Sequence, residues 1–520
     1  MAYVLASTFV FGLVNPSAIK VRASTGVEIT EGVTVTAKGN TEGNTADLAI
    51  DGDLSTYWES SNDYKWIEVD LGGIYELSKI EIFNKDEAVY KYNIYASEDG
   101  ENFNKIAYKN NENVSDSNGN VHTIDNVRAG KIRIDVVQNS NSDRVNIAEI
   151  NVFGKNTGES LPEVKKIATS NFSETPWATE YEKFNSDSAY ANEKTLNEIK
   201  NLVGRVIGEE FKDKFIFEIR DQLNGNDVFE VSDSRDGKVL IKGNNGVSLA
   251  SGFNYYLKNY CNVSYNPIMG SNLKMPETMP SVGERVVIDT PYEHRYALNF
   301  CTYSYTMSFW DWDQYEEFLD WCAMNGVNLV LDIIGQEEVL RRTLNEFGYS
   351  DEEVKEFISG PAYFAWFYMQ NMTGFGGPLP NDWFEQRAEL GRKMHDRMQS
   401  FGINPVLQGY SGMVPRDFKE KNPEAQTISQ GGWCGFDRPD MLKTYVNEGE
   451  VDYFQNVADV FYEKQKEVFG DVTNFYGVDP FHEGGNTGDL DNGKIYEIIQ
   501  NKMIEHEKRS NTIAWPLLVN

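Results

Sequence analysis

The sequence predicts a multidomain chain in which a β-sandwich is followed by a small α/β domain and then by part of a (β/α)8 barrel. Three observations predict it. Between residues 27 and 155, short runs of alternating polar and apolar residues are separated by turns rich in Asn, Asp and Gly. Between 171 and 288, a stretch with helical spacing is followed by short strand-like runs. From 291 to 520 the rhythm becomes continuous apolar strand, loop and helix, the pattern of a parallel sheet covered by helices. A length of 520 residues suits roughly three or four domains.

Composition narrows the function classes. The net charge of −32 argues against nucleic acid, whose phosphates need a basic surface, and against a polybasic membrane contact. Aromatic residues reach 13%, available either to stack on sugar rings or to fill cores. Cysteines stand only at 261, 301, 322 and 434, at spacings that fit neither a zinc site nor a dense disulfide scaffold, so free thiols are expected. Residues 1–25 read as a secretory signal peptide, with an apolar run over 3–18 and a small-residue exit at Val21-Arg22-Ala23. The basic start of such a signal is missing, which places the true beginning upstream; the alternative is a strand or helix of the mature fold. The expectation is a secreted, extracellular protein with no membrane insertion, because no other apolar run is long enough to span a bilayer.

The strands expected in the sandwich are Trp66–Leu71, Ser78–Phe83, Tyr92–Tyr95, Lys131–Val136 and Ile147–Val152. Within them, Ala49-Ile50-Asp51-Gly52-Asp53-Leu54-Ser55-Thr56-Tyr57-Trp58 resembles the opening signature of discoidin-like domains, the F5/8 type C fold shared by many carbohydrate-binding modules. Trp66–Gly72, Ser97–Phe103 and Ile147–Ile150 resemble that family's next strand, internal hairpin and closing strand, in order. The resemblance implies a structural calcium held by oxygens of Asp51, Thr56 and Glu149, with backbone carbonyls near Leu48, Asp53 and Ala148, a donor set of the right hardness. The alternative is that Asp51-Gly52 is only a turn. Trp58 is expected in the core rather than as a sugar platform.

A polar linker over 156–170 precedes the α/β domain. There Leu196, Ile199, Leu202, Val203, Val206 and Ile207 fall on one helix face, strands are expected at 214–219, 228–231 and 238–241, and a second helix at 248–259. In the barrel segment, strands are expected at 294–299, 327–333, 403–408 and 475–478. Helices are expected at 312–324, 337–346, 383–401 and 452–469. This alternation fits the first half of a TIM-type barrel, and Phe475–Val478 then delivers His482 and Glu483 at a strand's C-terminal end, where such barrels place their chemistry. Asp489-Leu490-Asp491-Asn492-Gly493 is set aside as a calcium loop, since its glycine comes one position early.

Several stretches of this segment resemble the α-N-acetylglucosaminidases, glycoside hydrolase family 89. They include Asn299–Tyr305, Trp310-Asp311-Trp312, Asn325–Leu329, Gly335-Gln336-Glu337, Gly360–Trp366, Gly377–Pro380, Phe401–Leu407 and Tyr476–Glu483. The resemblance implies removal of terminal α-linked N-acetylglucosamine from mucin-type or heparan-type glycans, with retention of configuration and no catalytic cofactor. It makes Glu483 the general acid/base, an acid that burial would keep protonated near neutral pH. It places Asn299, Cys301, Tyr303, Gln336, Glu337, Trp366, Trp433 and His482 around the sugar. Cys301 has no identifiable activating base, so it is not expected as a nucleophile, and a small packing role is its alternative.

Retention needs two carboxylates about 5–5.5 Å apart. The family's nucleophile lies on a later strand, and no motif before residue 520 matches it; Glu337 better suits sugar binding. The tail Arg509–Asn520 resembles the family poorly. The expectation is therefore a C-terminally truncated enzyme that is inactive and folds poorly alone. A carbohydrate-binding adhesin with a non-catalytic barrel remnant is the alternative from another class. A hexosaminidase using the substrate's own acetamido group is a third reading.

Overall fold

The structure is a computed structural model and describes residues 27–29, 32–37, 39–60, 65–100, 102–115, 118–162, 166–488, 493–495, 497–501 and 515–518. The stretch 1–25 read as a signal peptide, residues 489–492 and most residues after 501 lie outside these residues. The chain forms two compact units, divided between Lys165 and Lys166.

The first unit is the expected β-sandwich. Its strands are antiparallel, and the long strands Trp66–Phe83 and Asn120–Asn139 form its backbone. Their register breaks between Asp70 and Tyr75 and again between Leu77 and Lys79, and such bulges let one strand serve both layers. Alternation sends Tyr90, Tyr92, Ile94 and Ala96 from one strand, and Ile132, Ile134 and Val136 from its neighbour, into a single core. Trp58 is fully buried there, its indole N–H donating to Asn40 Oδ1 at 2.9 Å, which makes it core as expected.

The second unit joins the α/β segment and the barrel segment in one continuous hydrophobic core. The helix Ser188–Ile207 starts on the Asp187 side chain, which accepts two backbone N–H groups, and buries Ile199, Leu202, Val203, Val206 and Ile207. With the helix Gly246–Tyr260 it packs on the sheet Phe215–Ile219, Val239–Gly243, Asp227–Asp233 and Val286–Thr290, in that order. The last of these strands was not expected: it is a half-exposed edge, so its residues show no clean alternation.

The barrel sheet is parallel and runs Tyr296–Ala297, Leu329–Asp332, Asn404–Gln408, Phe475–Val478, Trp515–Leu518 in spatial and chain order. The first strand is shorter than the expected 294–299. Leu298 takes a positive φ of 76°, which ends the strand, and Asn299 then caps the short helix Phe300–Tyr305. The fifth strand was also not expected, since the tail gave no family signal; Trp515–Leu518 pairs with Phe475–Val478 residue for residue. Between the third and fourth strands the chain leaves the barrel and makes the hairpin Gly432–Trp433 with Phe436–Asp437. Both turn residues, Cys434 (φ 50°) and Gly435 (φ 87°), are left-handed, as a tight two-residue hairpin turn requires. Among the described residues no helix is long and apolar enough to cross a membrane.

Candidate active site

The site begins where the strand Phe475–Val478 ends. Asp479 is buried, and its carboxyl Oδ2 lies 3.1 Å from His482 Nδ1. Burial pushes the Asp479 carboxyl above its usual range, and His482 opposes that push. On the other side of the ring, His482 Nε2 lies 3.8 Å from Glu483 Oε1. The second carboxyl oxygen, Oε2, accepts the Trp433 indole N–H at 2.8 Å. The hairpin that leaves the barrel therefore exists, in this site, to place one indole on one carboxylate.

The backbone of this loop is strained and clamped. Phe481 (φ 60°) and Glu483 (φ 49°) are both left-handed, a conformation that costs about 1–3 kcal/mol each outside glycine and persists only when surroundings enforce it. The enforcing contacts come from three buried side chains. Gln370 Oε1 accepts the Phe481 N–H at 3.3 Å, and Asn371 Nδ2 donates to the His482 carbonyl at 3.1 Å. Arg438, 2% exposed, donates one Nη2 to the carbonyls of His482 (2.9 Å) and Glu483 (3.1 Å). Gly485 follows because a Cβ there would sit 2.7 Å from the Phe481 ring. None of Gln370, Asn371, Arg438 or Asp479 was singled out from sequence. Only Asp479 carried a signal, its place in the strand-end motif; the others reach the loop from segments 44–111 residues away.

The predicted sugar-facing residues fall into two groups. His482, Trp433 and Cys301 gather at Glu483. Burial pushes the Cys301 thiol up, and the Asp479 and Glu483 charges push it further, which keeps it neutral and disfavours a thiolate nucleophile. Trp366 joins them through ring contacts: Trp366–Tyr363 (6.4 Å), Tyr363–Phe375 (4.8 Å), Phe375–Phe436 (4.8 Å) and Phe436–Trp433 (6.4 Å). Tyr363, in a one-turn 3-10 helix, Phe375, in a loop, and Phe436, in a two-residue strand, sit in pieces too short to show periodicity. Asn299 is exposed, but its Oδ1 accepts from the backbone N–H and the hydroxyl of Thr302, each at 3.0 Å.

Tyr303, Gln336 and Glu337 form the second group and depart from expectation. All are buried with their polar atoms turned inward. The Tyr303 hydroxyl donates to the Leu331 carbonyl. Gln336 Oε1 accepts from Gln465 at 2.8 Å, and Glu337 Oε1 accepts the Trp383 indole N–H at 2.6 Å. Burial pushes the Glu337 carboxyl up, with Arg387 opposing. Gly335, left-handed at φ 75°, precedes the helix Gln336–Glu346, and Gln465 ties Gln336 to the Gln408 carbonyl at the C-terminal end of the third barrel strand. The expected burial of Glu483 is likewise not found: its side chain is 60% exposed, and one indole with one imidazole, not an apolar pocket, surrounds its carboxyl.

In the sandwich, the residues expected to hold calcium converge. Thr56 Oγ1 donates to Asp51 Oδ2 (2.7 Å) and to the Asp53 carbonyl (2.8 Å), while Glu149 Oε2 accepts the Gly52 N–H at 3.0 Å. The Asp53 carboxylate turns away to Ser55, so Asp53 offers its carbonyl. Burial pushes the Glu149 carboxyl up to about 7, and Asp51 adds to the push, which marks a place where negative charge lacks a counterion. These hard oxygens fit a calcium ion. Among the described residues no cluster of three or more His, Cys, Asp or Glu groups forms a metal site.

Three protein-family descriptions match the chain. "Alpha-N-acetylglucosaminidase (NAGLU) tim-barrel domain" matches residues 295–517, "Alpha-N-acetylglucosaminidase (NAGLU) N-terminal domain" matches 197–281, and "F5/8 type C domain" matches 33–150. The match to residue 517 extends into the tail that seemed foreign to the family. The human protein "Alpha-N-acetylglucosaminidase" is 31% identical over 290 residues, which are 55% of this chain and 38% of that protein. A family 89 glycoside hydrolase from Clostridium perfringens, solved with 2-acetamido-1,2-dideoxynojirmycin, is 96% identical with a TM-score of 0.85; the match covers 95% of this chain and 56% of that one. The same enzyme with glutamines in place of glutamates at its positions 483 and 601 was solved with its substrate GlcNAc-alpha-1,4-galactose, at a TM-score of 0.84. The chain thus spans about half the length of these relatives.

Proposed function

Because this chain belongs to the α-N-acetylglucosaminidase family, glycoside hydrolase family 89, and carries an F5/8 type C module, we propose that it is the front part of an exo-acting enzyme. That enzyme removes terminal α-linked N-acetylglucosamine from mucin-type or heparan-type glycans, with retention. The observation that carries this is Glu483 at a strand's C-terminal end, with one carboxyl oxygen on the Trp433 N–H and the other facing His482.

Trp433 engages Oε2 as an acceptor, which leaves Oε1, beside His482, as the oxygen that would carry the acidic proton. Asp479 Oδ2, 3.1 Å from His482 Nδ1, holds the ring in place next to it. Glu483 gives this proton to the departing glycosidic oxygen as a second carboxylate attacks the anomeric carbon. In the next step ionised Glu483 takes a proton from water, and the water oxygen displaces the enzyme carboxylate. The aromatic wall from Trp366 to Trp433 offers the apolar face for the sugar ring.

The second carboxylate corresponds to position 601 of the Clostridium perfringens relative, beyond these 520 residues. A protein made of these residues alone is expected to be inactive and to fold poorly. In the sandwich, Asp51, Thr56, Glu149 and the Asp53 carbonyl are the residues that would hold calcium. The apolar run over 3–18 supports export. The test is to assay an aryl α-N-acetylglucosaminide with the 520-residue chain and with a form extended through the whole barrel, following the product anomer by NMR. Release of α-N-acetylglucosamine by the extended form alone supports the reading. Release of the β-anomer, or full activity of the short chain, contradicts it.

A further inference from the structure

The hairpin Gly432–Trp433 with Phe436–Asp437 is followed at once by Arg438, whose backbone closes the hairpin's neck. Its N–H donates to the Gly431 carbonyl at 3.1 Å, and its own carbonyl accepts Arg416 Nε at 2.8 Å. Arg416 Nη2 donates to the same Gly431 carbonyl at 2.6 Å, so the neck is pinned twice. Beside it the Thr373 N–H donates to the Asp437 carbonyl at 3.0 Å, which ties the segment bearing Gln370 and Asn371 to this fixed point. From there the Arg438 side chain reaches the loop Asp479–Gly485. One terminal nitrogen, Nη2, donates to two successive carbonyls, those of His482 at 2.9 Å and Glu483 at 3.1 Å.

This is an unusual use of a buried charge. Arg438 is 2% exposed, its Nε has no partner, and among the described residues it forms no ion pair. Burial pushes its guanidinium below the usual range, with the Glu483 charge opposing. Arg341, also buried, instead meets Glu338 and Asp351 at 2.7 Å each. Taking an unpaired cation out of water costs several kcal/mol, and an apolar side chain of similar volume would avoid that cost. An apolar side chain could not donate to two neighbouring carbonyls. The second of these belongs to Glu483, whose left-handed backbone (φ 49°) persists only where its surroundings hold it. The hairpin therefore grips Glu483 at both ends, its carboxyl through the Trp433 N–H and its backbone through Arg438.

We infer that Arg438 is a positioning residue for the proton transfer: it holds the Glu483 backbone in the left-handed state that aims the carboxyl at the departing oxygen. The inference rests on the proposed role of Glu483 as proton donor. Among the residues of the loop Arg438 touches backbone carbonyls alone, so its loss leaves the aromatic wall and the attack on the anomeric carbon in place. The cost falls on the step that needs the proton, where a misplacement of about 1 Å costs on the order of 10²-fold.

The test uses the form extended through the whole barrel, as Arg438→Met, Arg438→Lys and, for reference, Glu483→Ala. GlcNAc-α-1,4-galactose needs a proton on its leaving oxygen. A dinitrophenyl α-N-acetylglucosaminide does not, and the rate of its pre-steady-state burst reads the attack alone. In Arg438→Met, kcat/KM on the disaccharide should fall about 10²-fold while the burst rate falls far less. In Arg438→Lys, which keeps a charged donor on a shorter arm, the same split should appear with a smaller loss on the disaccharide. Replacing an unpaired buried charge by an apolar chain does not oppose folding, and the lysine variant carries the comparison by itself should the methionine variant not fold. Equal losses on the two substrates, or no loss on the disaccharide, overturn the inference. The reference separates the two claims. A split in Glu483→Ala without one in the Arg438 variants removes Arg438 alone, whereas no split in Glu483→Ala removes the proton donor and this inference with it.

Discussion

Trp433 does most of the positioning at the residue scale, because it fixes which Glu483 oxygen is left to carry the proton. Trp433→Phe keeps the ring wall and removes the N–H. A hydrogen bond to a charged group is worth about 1.5–3 kcal/mol, so the extended enzyme should lose about 10–100-fold in kcat with KM changed far less. Steady-state kinetics on an aryl α-N-acetylglucosaminide measure this; a rise in KM with unchanged kcat would mean that Trp433 only binds sugar. Glu149 supplies a second residue-scale prediction. Its carboxyl rises from about 4.5 to about 7 on folding without a cation, so between those values the folded module holds more protons than the unfolded one. Cation-free stability is then full below about 4.5 and falls as pH climbs to about 7. Calcium held there, as proposed, would favour the ionised form and offset this loss. Chelation by EGTA should therefore lower the melting temperature of the module more near neutral pH than near pH 4.5, and an EGTA effect independent of pH would contradict the assignment.

At the scale of elements, the hairpin Gly432–Asp437 and the loop Asp479–Gly485 act as one device joined by Arg438 and the Trp433 indole. The hairpin depends on its left-handed turn. A Cβ at Gly435 would meet nothing within 4 Å, so any cost of replacing it is conformational. Gly435→Val should destabilise the hairpin by about 1–2 kcal/mol, because a β-branched residue is poorly tolerated at φ 87°. Exchange in residues 430–438 should accelerate while the helix Ser188–Ile207 is unaffected; unchanged exchange in the hairpin would show that the turn is not what holds it. The strained loop is an element of the same kind. Its two left-handed residues, Phe481 and Glu483, are held by Gln370, Asn371 and Arg438, so its shape is stored in the surrounding barrel rather than in its own sequence.

Across the whole molecule, what could be read from the sequence depended on how local its signal was. Continuous apolar runs such as Leu329–Asp332 and the one-sided helix Ser188–Ile207 declare themselves within a few residues, and so did the strand tip bearing His482 and Glu483. Val286–Thr290 and Trp515–Leu518 did not: the first is a half-exposed edge, and the second is four residues long with a proline inside. Gln336 and Glu337 are expected at the sugar from the family resemblance, but both are fully buried and bonded to Gln465 and Trp383, contacts with residues 129 and 46 positions away that local sequence does not reveal. Arg438 and Asn371 act through contacts 44 and 111 residues away, which no window of sequence contains. The central claim remains local, that Glu483 is the proton donor. It is tested most directly by Glu483→Ala in the form extended through the whole barrel, assayed on GlcNAc-α-1,4-galactose and on a dinitrophenyl α-N-acetylglucosaminide, whose leaving group needs no acid. The account predicts that disaccharide cleavage falls about 10²–10⁴-fold. It also predicts that the dinitrophenyl substrate still gives a burst and that added azide restores turnover as an α-glycosyl azide. Equal losses on both substrates with no azide rescue, or no loss on the disaccharide, would contradict it.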